Sequence, residues 1–67
     1  MPGEQFGERL LRIRMTKTIN GLPVSQEAAA RLFSASLAAY RSWEKARRLP
    51  MPIYRAKIAE VWPEVFT

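Results

Sequence analysis

Basic side chains crowd one stretch of this sequence: Arg31, Arg41, Lys45, Arg47, Arg48, Arg55 and Lys57, with Glu44 the only acid between them. Guanidinium and ammonium groups at that density suit a polyanion: duplex DNA first, RNA second, an anionic membrane surface third. The plain alternative is a solvated basic face that confers solubility, because charge balance alone discriminates poorly. Catalysis has less to work with. The chain has no histidine and no cysteine, which removes the usual general base, the usual metal ligand, any thiolate zinc site and any disulfide. Its acids are dispersed, and neither a nucleophile–base pair nor a phosphate-cradling glycine loop is apparent. The expectation is a binding module, not an enzyme, with no cofactor and no metal.

The elements that must carry those side chains follow from apolar spacing. The 67 residues make one domain, and 48% apolar content suffices for a single core. No apolar run has the length of a membrane span and no signal-peptide pattern is present, so a cytoplasmic protein without a membrane partner is expected. Residues 1–3 read as a loose start. Phe6, Leu10 and Ile13 recur at helical spacing, which predicts a first helix over residues 4–15. Glu4 and Glu8 near its start and Arg12 and Arg14 near its end suit the helix dipole. Asn20-Gly21 and Pro23 mark residues 16–24 as a loop, which offers either a contact from Lys17 to backbone phosphate or slack.

Ser25 reads as the N-cap of a second helix over 26–33, rich in alanine. A break at Ser34 precedes Ser36, the N-cap of a third helix over 37–47 in which Tyr40 and Trp43 share the buried face. Its outward positions are then Leu37, Ala38, Arg41, Ser42 and Lys45. Pro50 and Pro52 stop that helix, and Pro52 suits the first turn of a fourth, with Tyr54, Ile58 and Val61 facing inward. Pro63 ends it near Trp62, and Phe66 folds back as a lid. The class is all-α, and a tight turn between two short helices is the helix-turn-helix arrangement.

Ser25-Gln26, Ala30, Phe33, Ala35-Ser36, Trp43-Glu44, Arg47-Arg48, Pro50 and Ile58-Ala59 stand in one continuous register. In that register the sequence resembles the Cro and phage-repressor class of helix-turn-helix proteins, the XRE family, from about Phe6 to Trp62. The resemblance implies a compact four- to five-helix lambda-repressor-like domain and a transcriptional regulator, commonly a repressor. It binds double-stranded DNA as a homodimer on an inverted repeat. The third helix then enters the major groove, with Leu37, Ala38, Arg41 and Ser42 facing bases and Gln26, Ser36, Lys45, Arg47 and Arg48 facing phosphates. Leu37 and Ala38 would meet thymine methyls and Arg41 a guanine edge or a phosphate. Alternatively Leu37 and Ala38 form a protein-binding patch, Arg41 is an ordinary helix-face charge, and the chain is an antitoxin or other small regulator. The main partner would then be a protein, a toxin or a second regulator.

The resemblance also implies an ion pair between Glu44 and an arginine of the first helix, for which Arg14 is the candidate. Ser34 departs from the family's glycine at the turn, at about 1 kcal/mol if it takes the left-handed conformation. Ala29 and Tyr40 exchange volume relative to the family pattern. Trp62, Val65 and Phe66 serve either as a dimer interface or as the lid of the core.

Overall fold

The computed structural model describes residues 4–67; the expected loose start at residues 1–3 lies outside the described residues. The domain is small, compact and mostly helical. Helix α1 runs Phe6–Met15, α2 Gln26–Leu32, α3 Leu37–Glu44 and α4 Pro52–Val61, and a C-terminal 3-10 turn covers Pro63–Phe66. The all-α expectation needs correction. Residues 16–24 contain a two-stranded antiparallel hairpin, β1 Thr18–Ile19 and β2 Leu22–Pro23, with Ile19 opposite Leu22. Asn20 and Gly21 both have positive φ, 53° and 80°, as a two-residue type I′ hairpin turn requires.

The hairpin is not slack. It delivers Val24 into the core, and Arg14 Nη1 donates to the Val24 carbonyl at 2.9 Å. Lys17, the candidate for an extra contact, is engaged within the fold: its ammonium is paired with Glu64, which ties the base of the hairpin to the C-terminal turn.

Leu10, Phe33, Tyr40, Ile58 and Val65 are the largest fully buried side chains, drawn from α1, the residue closing α2, α3, α4 and the terminal turn. Aromatic rings link these layers. Phe33 meets Trp62 edge-on at 5.0 Å, and Trp43 lies 5.3 Å from Tyr54. Such pairs add about 0.5–1.5 kcal/mol each beyond area burial. Ala29 and Ala30 are buried beside them, as a close approach of α2 to α3 requires. The lid is made by Trp62 and Val65, which removes both from any free interface. Phe66, expected as the lid, is exposed and rests against Phe6 at 5.7 Å. Val61 is likewise exposed, whereas Ile58 is buried and Tyr54 half-buried.

Gly7 sets how α1 meets α3. A Cβ on Gly7 would sit 2.6 Å from the carbonyl oxygens of both Trp43 and Glu44. The start of α1 therefore presses directly on the end of α3, at a distance only glycine permits.

Candidate nucleic-acid interface

Two serines define the corner that presents α3. Ser25 Oγ accepts from the Ala28 amide at 3.0 Å, and Ser36 Oγ accepts from the Ala39 amide at 3.1 Å, so both expected N-caps are formed. Between them α2 ends in a Schellman motif: the Ala35 amide donates to the Ala30 carbonyl and the Ser34 amide to that of Arg31. Ser34 has φ 57°, so the left-handed strain foreseen at this position is present.

Helix α3 ends at Glu44, not at residue 47 as its sequence predicts. A second Schellman motif closes it, with Ala46 at φ 59°, its amide on the Trp43 carbonyl and the Arg47 amide on that of Ser42. Arg47 and Arg48 thus lie on the turn after the helix. Residue propensities do not mark this stop, since alanine is the strongest helix former and the usual residue is glycine, although a helix ending at Trp43-Glu44 is part of the family pattern the sequence resembles.

Glu44 fixes the orientation of α3. Arg14 Nε donates to Glu44 Oε2 at 2.7 Å, and Arg14 Nη2 and Gln26 Nε2 donate to Oε1 at 3.3 and 2.8 Å. One carboxylate therefore clamps α1, α2 and α3. Its side chain is only 4% exposed and that of Arg14 14%. Burial pushes the Glu44 carboxyl up, but the hydrogen bonds from Arg14 and Gln26 outweigh it and hold the group below its ordinary 4.5. The Tyr40 hydroxyl faces this pair, fully buried and without a hydrogen bond of good geometry; burial drives its pKa upward.

Held this way, α3 turns Leu37, Ala38, Arg41 and Lys45 to solvent. Tyr40 and Trp43 occupy the opposite, buried side. Ser42 is half-buried and its hydroxyl donates to the Ala38 carbonyl at 3.0 Å, leaving mainly acceptor capacity outward. Gln26 is half-buried with one amide proton used on Glu44 and one left over. Ser36 is exposed, as are Arg47 and Arg48.

The cations sort sharply. Arg9 and Arg12 share Glu4, Arg14 holds Glu44, Lys17 holds Glu64 and Arg31 holds Glu27. Among the described residues, Arg41, Lys45, Arg47, Arg48, Arg55 and Lys57 form no ion pair. Lys57 donates to Ser34 Oγ at 3.1 Å, and Arg55 stands over the Phe66 ring at 5.8 Å. Arg48 also lines a groove with Ala38 and Ser42 of α3.

No family model, curated protein or solved structure matches the chain. No helix among the described residues is long and apolar enough to cross a membrane.

The groove beside α3 escaped sequence reading. Leu49 and Met51 belong to a proline-punctuated linker, and nothing in its pattern marks it as a wall facing Ala38 and Trp43.

Proposed function

We propose that the chain is a sequence-specific double-stranded DNA-binding regulator of transcription, in the manner of lambda-repressor-like helix-turn-helix domains, with α3 as its reader. One observation carries the reading: α3 offers an exposed face of Leu37, Ala38, Arg41 and Lys45, flanked by Arg47 and Arg48, all without an acidic partner among the described residues. A short helix with small and apolar residues at its start fits the major groove closely, and the cations behind it fit phosphates. Within α3, Arg41 is an exposed arginine able to make a bidentate contact to guanine. Ser42 contributes as an acceptor at the helix edge. Gln26 braces α3 through Glu44 and has one amide proton left for a phosphate, and Ser36 has its hydroxyl proton.

Such a small module gains affinity by pairing, so a homodimer on an inverted repeat, acting as a repressor in the cytoplasm on the nucleoid, is the expected working form. Binding rather than catalysis is the activity, and no cofactor enters the scheme. Selection of bound sites from a random duplex pool tests this. The expected outcome is an enriched motif with two symmetric halves. Arg41→Ala should relax preference at one base pair per half-site, worth about 1–3 kcal/mol. A pool that never enriches would overturn the reading.

A further inference from the structure

Leu49 and Met51, in the short linker before α4, and Ile53, in the first turn of α4, are 70%, 66% and 65% exposed, an unusual concentration of large apolar side chains. Pro50 between them is buried, which pins the linker and turns Leu49 and Met51 outward. Leu49 and Met51 supply an apolar wall to a groove of about 470 Å³ that Ala38, Trp43 and Tyr54 of the helices and the cationic Arg48 also line. That volume lies in the range of pockets that take a ligand or a large side chain. Duplex DNA gives this wall little to do, because its only apolar groups in the major groove are thymine methyls. A second copy related by a two-fold axis would bring the unpaired Arg47 and Arg48 of both chains together. A lipid surface wants a protruding wedge, whereas this feature is concave.

The geometry points to an acidic peptide segment of a partner protein, carrying a large apolar or aromatic side chain, as the occupant of this groove. The apolar side chain enters beside Met51 and Trp43. Carboxylates flanking it meet Arg48, which lines the groove, and Arg41 and Lys45, which are exposed like Ala38 of the groove; none of the three has an acidic partner among the described residues. Charge complementarity selects the sign of the partner and the apolar wall selects its side chains. Ala38, Ser42 and Arg48 belong both to this groove and to the proposed DNA face, so occupant and duplex exclude one another. The exclusion rests on the DNA reading; occupancy of the groove does not.

The test uses the full chain and two polymers matched in charge, polyglutamate and a glutamate–tyrosine copolymer. The copolymer should bind about tenfold tighter or better, from burial of its rings. The double variant Leu49→Ser/Met51→Ser, at exposed positions, should lose that advantage, keep its polyglutamate affinity and keep its helical circular dichroism. Equal binding of the two polymers, or an advantage that survives in the variant, overturns the proposal. So does binding to phosphatidylglycerol vesicles that depends on Leu49 and Met51 while the copolymer advantage does not. In a last arm the copolymer should displace a short duplex from the parent chain. If the polymer pattern holds but the duplex stays bound, the groove stands and its sharing with DNA fails.

Discussion

Along residues 4–17 every arginine and lysine is engaged. Arg9 and Arg12 close on Glu4, Arg9 also reaches the Val65 carbonyl, Arg14 closes on Glu44 and Lys17 on Glu64. Along residues 41–57 the same residue types find no acid among the described residues, although the chain there is equally well ordered into helix, capped turn and helix. The first set ties α1 to α3 and to the C-terminus. The second set has no acidic partner among the described residues, although Lys57 donates to Ser34 and Arg55 stands over Phe66. Cations that hold the fold together and cations without an acidic partner are therefore distinguishable by what they touch, not by their abundance.

Substitution separates the two roles. Arg14→Met leaves the nearly buried Glu44 carboxylate without its main partner, and breaking such a pair costs about 3–5 kcal/mol. In a domain of this size that consumes most of the stability, so urea unfolding should show a sharply lowered midpoint. Replacing Arg14 and Glu44 together by Met and Leu should recover much of the loss, since no orphaned charge remains. A single-variant loss under 1 kcal/mol would break the distinction from the structural side.

Arg47→Ala/Arg48→Ala should do the reverse. Stability should stay within about 0.5 kcal/mol of the parent, because both side chains are exposed and unpaired. The slope of log affinity for duplex against log salt should flatten by about two. An unchanged slope would remove these residues from the interface.

Acid sharpens the comparison further. The Glu44 carboxyl is held below 4.5 in the fold, so the stability it contributes is fully present above the unfolded value and is lost as pH falls through its lowered folded value. Thermal melts of the parent should drop steeply below about pH 4.5, and Glu44→Gln should flatten part of that drop. Identical pH profiles would mean that the clamp contributes nothing.

The smallest effect concerns the two left-handed residues that frame α3. Ala46→Gly and Ser34→Gly should each stabilise by up to about 1 kcal/mol, read as a few degrees of melting temperature. Ala46→Gly leaves every charge in place, so duplex binding should be unaltered.

Much of this architecture is written locally in the chain. Ser25 and Ser36 each precede a run of helix formers, and a serine hydroxyl satisfies an orphan amide wherever such a run begins. Tyr40 and Trp43 declare a buried face by their spacing, and the outward face of α3 follows from it. Arg14 and Glu44 were paired through family resemblance. What escaped depends on distant or weak signals. Asn20-Gly21 is a strong hairpin turn, but strands as short as Thr18–Ile19 and Leu22–Pro23 cannot display alternation. The end of α3 at Glu44 is closed by a left-handed Ala46, with no glycine to announce it. The Lys17–Glu64 pair joins residues far apart in the chain, and the groove at Leu49 and Met51 exists only once the linker folds back beside α3.

The central claim is that duplex DNA meets the molecule on the unpaired-cation side and not on α1. Amide chemical-shift mapping, during titration with a short duplex carrying the selected motif, tests that most directly. The account predicts perturbations centred on Leu37, Ala38, Arg41, Lys45, Arg47 and Arg48, with the exposed face of α1 at Glu8, Leu11 and Met15 silent. Shifts concentrated on that α1 face, or none along α3, would contradict it.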